Sequence, residues 1–163
     1  MSDRIIELTR TIEAPPERVF RALTESDELV RWFPSSAVSD PRAGGSFEYR
    51  FDFPDAPERN HAYGGVYHEV EPNKRVSYPW SGKLGETRVD VDLRPDGNAT
   101  AVVLRHVGWG EGADWDESLE VHREGWGFFV DNLASYLERG EDRRREALGM
   151  RTEPSPALSA RGR

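Results

Sequence analysis

The sequence predicts an α+β fold in which a curved antiparallel β-sheet wraps around one long C-terminal α-helix, with two short helices after the first strand. Three observations predict it. Trp115, Leu119, His122, Trp126, Phe129, Leu133 and Leu137 recur at steps of three and four, which lines one face of a helix. Upstream, several short segments alternate apolar and polar residues, the pattern of antiparallel strands with one covered face. Between the first such segment and the rest, Ala14-Pro15-Pro16 stops the strand and opens a helix, since proline suits the first helical turn.

Residues 5–12 form the first predicted strand, with Ile6, Leu8 and Ile12 on one face. Arg10 alternates onto that face, which invites a buried ion pair, with Glu69 as a candidate partner. A helix over about 17–23 buries Val19, Phe20 and Leu23, and Ser26 reads as the N-cap of a second short helix ending near Trp32-Phe33-Pro34. Five strands are predicted next. Residues 46–51 place Phe47, Tyr49 and Phe51 together, 75–80 do the same for Val76, Tyr78 and Trp80, and 87–93 send Val89, Val91 and Leu93 inward with Arg88, Asp90 and Asp92 towards water. Asp96-Gly97 is a turn leading into 100–107. Residues 65–70 are ambiguous, because Val66, His68 and Val70 oppose Tyr67 and Glu69. The irregular stretch Pro54–Gly64 is expected to be a mobile loop at a sheet end.

In the long helix, Gly125 and Gly127 each cost about 1 kcal/mol relative to Ala, so a bend or a close approach is expected there. The acidic run Glu111, Asp114, Asp116, Glu117 and Glu120 marks the helix start, where carboxylates meet the positive end of the dipole. Asp114 and Glu117 have capping-box spacing. Residues 1–140 are read as one domain. Residues 141–163 are read as a polar tail with a helical extension over 141–148 and the remainder disordered.

Composition narrows function. The 163 residues carry a net charge of −8, and residues 141–163 hold six arginines against four carboxylates, so the body is more acidic than the whole. That argues against nucleic acid as the main partner. No apolar run approaches the ~20 residues of a membrane span, and the N-terminal MSDRIIELTR lacks the apolar stretch of a signal peptide, so a cytoplasmic location is expected. With no cysteine, disulfides, thiolate metal sites and cysteine nucleophiles are excluded. The serines lack a nucleophile-elbow context and Gly44-Gly45 reads as a turn, so hydrolase and nucleotide-binding readings lack parts.

Tyr49, Tyr78, Trp80, Trp126 and Phe129 fall on predicted inner faces of different elements. Polar-tipped rings suit an apolar cavity offering a few hydrogen bonds. Alternation also sends His68 and His106 inward, and helical spacing does so for His122. Three imidazoles could ligate a metal, but sequence spacing enforces no ligand geometry. No metal or other cofactor is therefore expected, and no catalytic residue is assigned. A single histidine acting as hydrogen-bond donor to a ligand is the preferred reading, with His122 the first choice and His106 a further ligand-binding candidate.

The order of elements, with Arg10-Thr11-Ile12-Glu13-Ala14-Pro15-Pro16-Glu17-Arg18-Val19-Phe20, Ala22-Leu23-Thr24, Leu29, Trp32, Gly65, Glu69-Val70-Glu71-Pro72, Arg75-Val76, Trp80, Gly125-Trp126, Leu133 and Tyr136-Leu137, resembles the START-like (SRPBCC) superfamily. The likeness is strongest to its branch related to the activator of the heat-shock chaperone ATPase, and it spans roughly residues 5–138. The resemblance implies a helix-grip fold with a cavity between sheet and helix, in which members mostly bind hydrophobic or aromatic small molecules. It supplies no invariant catalytic residue. The expected function is binding or sequestration of a hydrophobic, aromatic small molecule, with residues 54–64 gating the entrance and His122 or Tyr78 orienting the ligand. Two alternatives remain: a cyclase or aromatase-type enzyme using His122 or His106 with Tyr49 or Tyr78, and a protein-interaction module akin to a chaperone cofactor. An exposed edge strand could pair in a homodimer.

Overall fold

A computed structural model describes residues 4–152. The chain runs β1 (Ile6–Ile12), α1 (Pro16–Thr24), α2 (Ser26–Leu29), β2 (Ser36–Ser39), β3 (Ser46–Phe51), β4 (His61–Val66), β5 (Glu69–Glu71), β6 (Arg75–Gly82), β7 (Gly85–Asp96), β8 (Ala99–Val107), α3 (Ala113–Arg139) and α4 (Arg144–Leu148). The strands pair antiparallel in a five-stranded sheet, order β1-β8-β7-β6-β5, and a three-stranded sheet, order β2-β3-β4. The first strand pairs with the last in a register set by Ile6 opposite His106 and Ile12 opposite Thr100. Together the strands make the curved antiparallel surface of a helix-grip fold, and the 27-residue α3 lies against it.

Local chemistry explains most boundaries. Pro16 opens α1, whose Val19, Phe20 and Leu23 enter the core. In β3 the alternation is clean, with Phe47, Tyr49 and Phe51 buried and Ser46, Glu48 and Arg50 exposed. The β7–β8 hairpin turns at Gly97, whose φ of +63° is one that glycine adopts without strain.

Several expectations are corrected. Ser26 is the first residue of α2 rather than its cap. Its hydroxyl instead accepts the Ser39 N–H at 3.0 Å, which fastens β2 to α2. No side-chain cap forms at the start of α3, so the Asp114–Glu117 spacing makes no capping box; Asp116 pairs with Arg4 at 2.7 Å. Arg10 faces α3 as predicted, but its partner is Asp131 at the surface and not Glu69, an arrangement worth about 1 kcal/mol at most. Asp90 does not face open water. Its carboxylate is buried on the outer side of the sheet between Ser77 Oγ (2.6 Å), Arg88 (3.1 Å) and Arg75 (3.4 Å).

The ambiguous 65–70 segment is two strands. Proline has no N–H for a ladder, and Pro79 lies in the middle of β6. On the side of β6 away from β7, pairing with β5 stops at Ser77, whose carbonyl accepts the His68 N–H at 2.8 Å. Beyond that point β4 leaves to join the other sheet, passing so close that a Cβ on Gly65 would lie 2.8 Å from Pro79 Cγ. The break changes the face presented: Tyr67 is buried and His68 is exposed, so the predicted inward His68 is wrong. The predicted loop 54–64 holds a single 3-10 turn, Pro57–Arg59, and the first four residues of β4.

Gly125 and Gly127 are not positions of close approach, since an added Cβ at either meets nothing within 4 Å. Past α3, Arg144 has no exposed surface. Its guanidinium holds Asp142 at 2.7 Å and donates to the carbonyls of Val30 (2.6 Å), Phe33 (3.1 Å) and Pro34 (2.7 Å). Asn132 bonds both Trp32 O and Asp142, and Met150 enters the core. Residues 141–152, read from sequence as the start of a polar tail, are thus fastened to the turn after α2. The predicted disorder beyond them lies outside the described residues.

Removing one partner of a buried ion pair leaves uncompensated charge and unpaired carbonyls, typically 3–5 kcal/mol. Arg144→Ala is accordingly expected to cost about that much, read as a lower urea midpoint at unchanged m-value. A loss below about 1 kcal/mol would show that the segment does not brace the fold.

Candidate functional site

Two open clefts lie side by side between the sheets and α3. The larger, about 700 Å³, is bounded by the β6–β7 hairpin, Trp109, Trp115 and Ser118. The smaller, about 520 Å³, is bounded by Phe33, Phe51, Phe53, Trp126, Phe129 and, from the C-terminal segment, Leu148 and Met150. His61, Tyr63, Trp80 and His122 border both, so they form the wall between the two spaces. Tyr63 stacks on Trp80 with ring centroids 3.9 Å apart and planes 20° off parallel. Of the four exposed large apolar side chains among the described residues, Leu84 borders the larger cleft and Val121 the smaller.

The predicted site residues separate into two groups. Trp80 and His122 border both clefts, and Trp126 and Phe129 border the smaller. Tyr49, Tyr78 and His106 border neither and are buried. Tyr49 heads a hydroxyl chain whose direction the last acceptor fixes. Ser39 Oγ donates to Thr24 O at 2.6 Å, so Tyr67 donates to Ser39 (2.6 Å) and Tyr49 to Tyr67 (2.8 Å). Burial pushes the phenols of Tyr49 and Tyr78 well above their ordinary range.

The His106 ring is fully committed. Trp126 Nε1, a donor only, bonds His106 Nδ1 at 2.9 Å, which places the ring proton on Nε2. That N–H donates to Thr87 Oγ1 at 2.6 Å, and the Thr87 hydroxyl passes its own proton to Trp80 O at 2.8 Å. Burial, with a smaller contribution from neighbouring His122, lowers the His106 pKa to about 3. Its predicted role as a ligand contact or proton donor is not available in this arrangement.

His122 is differently placed. It is half-buried, and Nδ1 donates to the Ser118 carbonyl one helical turn back at 2.8 Å, which leaves Nε2 as an acceptor, so the expected donor role of His122 towards a ligand is corrected to that of an acceptor. The Tyr63 hydroxyl approaches Nε2 only to 3.5 Å. Burial is the largest influence on His122 and lowers its pKa; the Ser118 bond opposes that shift and the charge of His61 adds to it. With both rings held neutral, two imidazoles 5.5 Å apart, edge to face, can coexist in an aromatic enclosure. His61 and Tyr63 were missed by sequence reading. Their alternation before Gly64-Gly65 was the available signal, hidden by the prolines and charges just upstream. Among the described residues no group of three or more His, Cys, Asp or Glu side chains could hold a metal ion, and His68 is exposed.

A sheet curled against a long helix with a ring-lined space between them defines a protein of the SRPBCC superfamily. Within it, the chain belongs to the family of activator of Hsp90 ATPase homolog 1-like proteins, whose model matches residues 13–138. Three solved structures illustrate the likeness. The Aha1 dimer of Colwellia psychrerythraea is 25% identical with a TM-score of 0.71, over 84% of this chain and 98% of that one. Protein CV1439 of Chromobacterium violaceum is 26% identical with a TM-score of 0.71, over 83% and 98%. DynU16, a protein in the dynemicin biosynthetic locus, is 26% identical with a TM-score of 0.71; the match covers 85% of this chain and 49% of that one. No curated protein matches the sequence. No helix among the described residues is long and apolar enough to cross a membrane.

The neutral His106 links stability to pH. Its folded pKa of about 3 lies below the ordinary 6.5, so between those values the unfolded chain takes a proton that the folded chain refuses. The stabilisation is complete above about pH 6.5 and is lost as pH falls towards 3. Each unit is worth about 1.4 kcal/mol, so the loss across the window is several kcal/mol. Chemical denaturation between pH 7.5 and 4.5 is expected to show a steeper fall for the wild type than for His106→Gln. Parallel curves would mean that His106 takes up a proton normally in the fold.

Proposed function

We propose that the protein binds a hydrophobic aromatic small molecule in the ring-lined space between sheet and α3, as a cytoplasmic carrier or sequestering protein. The observation that carries this reading is the smaller cleft. Its walls are rings from five parts of the chain (the turn after α2, β3 with the residues just after it, β4, β6 and α3), its volume of about 520 Å³ suits a bicyclic or larger ligand, and Val121 beside it is 60% exposed. An aromatic body hides about 200 Å² of surface, a gain of about 5 kcal/mol at 25 cal/mol per Å² before ordering costs. The family membership supports the reading, since the superfamily resemblance implies hydrophobic ligands. A homodimer forms part of the proposal: the Colwellia relative is described as a dimer, and β2 is an open sheet edge carrying exposed Val38.

N-phenyl-1-naphthylamine, whose emission rises in apolar surroundings, tests it. Saturable binding at one site per chain is expected, with Kd below about 1 mM, as a gain of that size allows. Gly125 borders the smaller cleft and a Cβ added there meets nothing within 4 Å, so Gly125→Leu starts its side chain into open space, takes up cleft volume and improves helix propensity. The variant is expected to fold and to bind at least tenfold more weakly. Absence of saturable binding, or binding indifferent to Gly125→Leu, would overturn the proposal.

A further inference from the structure

The wall shared by the two clefts carries one acceptor and one donor that the protein leaves poorly used. His122 is fixed by Ser118 as the tautomer with a lone pair on Nε2. The nearest polar group to that lone pair is the Tyr63 hydroxyl, at 3.5 Å, the outer limit of a hydrogen bond. Trp80, 5% exposed, holds its indole N–H out of solvent without an acceptor. The Tyr63 hydroxyl also lies towards that N–H without reaching hydrogen-bond geometry. One oxygen position therefore lies within reach of both nitrogens and is served well from neither side. A buried polar group left unpaired is costly, so a ligand that supplies the right group there gains affinity.

The donor and acceptor inventory selects that group. A carboxylate, ether or carbonyl only accepts, so it leaves His122 Nε2 unused. An ammonium only donates, so it leaves the Trp80 N–H unused. A hydroxyl does both. The aromatic walls require the rest of the ligand to be flat and apolar.

Resting on the binding function above, we infer that the ligand is a hydroxylated planar aromatic of the phenol or naphthol class, whose hydroxyl donates to His122 Nε2 at the wall shared by the two clefts. His122 then sets specificity, and Tyr63 gives way to the ligand's hydroxyl. The preference has a physical asymmetry: a site that hydrogen-bonds a hydroxyl rejects an analogue lacking it more strongly than an apolar pocket rejects an added hydroxyl.

The test compares 2-naphthol with 2-methoxynaphthalene, which keeps the rings and the oxygen but cannot donate. Both are measured by displacement of N-phenyl-1-naphthylamine. The wild type is expected to favour 2-naphthol at least tenfold. His122→Phe is expected to reduce the preference to about threefold or less while still binding 2-methoxynaphthalene, and His122→Gln, which restores an acceptor oxygen, to recover part of it. A readout on the wild type alone guards against a variant that fails to fold: the ¹⁵N resonance of His122 Nε2 is expected to move upfield with 2-naphthol and to stay with 2-methoxynaphthalene. Equal affinities, an unchanged preference in folded His122→Phe, or a stationary resonance would each overturn the inference and leave aromatic binding standing. Failure of every aromatic probe to bind would instead overturn the function on which it rests.

Discussion

The hydrogen bonds of His106 set where α3 lies against the sheet, and the cleft region inherits that placement. One imidazole joins four elements: it belongs to β8, accepts from Trp126 on α3, donates to Thr87 on β7, and through that hydroxyl reaches the Trp80 carbonyl on β6. Each link has a defined direction, since the indole can only donate and the carbonyl can only accept. The ring must be neutral to serve both ends, and its removal from water keeps it so. A packed apolar contact at this position would tolerate sliding of the helix. A directional network in a low-dielectric interior tolerates much less.

This network holds the Trp126 indole directly and the Trp80 backbone through its carbonyl, while the Trp80 ring is held by stacking on Tyr63, so both rings stand as walls rather than as mobile filling. Phe33 completes the enclosure, packing within 5.0–6.0 Å of Trp32, Tyr49, Phe51, Trp80, Trp126 and Phe129. Its backbone is itself held from the far end of the chain, where Arg144 bonds the Phe33 and Pro34 carbonyls. The same C-terminal segment brings Leu148 and Met150 to the smaller cleft. The anchor and the cleft wall are therefore one structure: loosening residues 142–150 would remove Leu148 and Met150 from the lining of the smaller cleft.

Much of the architecture was legible because it depends on periodicity and on covalent peculiarities of proline. The α3 stripe, the alternation of β3 and β7 and the start of α1 follow from residue spacing alone. What was not legible depends on tertiary placement. The inward phase of His68 failed because Pro79, eleven residues later in the chain, ends the ladder beside it and sends β4 to another sheet. Asp90 could not be recognised as buried, because three partners from β6 and β7 cover it. The helical extension near 144 was foreseen, but not that Arg144 would be the most enclosed charge in the described chain; an arginine in a charged segment gives no sign of the three carbonyls waiting for it. Of the residues bordering the clefts, Trp80, His122, Trp126 and Phe129 were placed by face, and Tyr63 was lost because two glycines follow it and prolines precede it.

The polar interior separates groups that hold the fold from groups free to meet a ligand. Tyr49, Tyr67 and Ser39 spend their hydroxyls on one another and end on Thr24 O, and both nitrogens of His106 are spent on neighbours. Among the described residues only Arg4 Nε and Trp80 Nε1 are buried side-chain polar atoms without a partner. Arg4 uses its other nitrogens on Asp116 and the Gly110 carbonyl, whereas the Trp80 indole has no second donor. Native interiors rarely leave such a group unpaired. The exception lies in the wall where His122 also keeps an acceptor, beside the two clefts. Polar groups committed elsewhere are structural whatever their chemical reputation, and the pair at this wall is where recognition chemistry remains available.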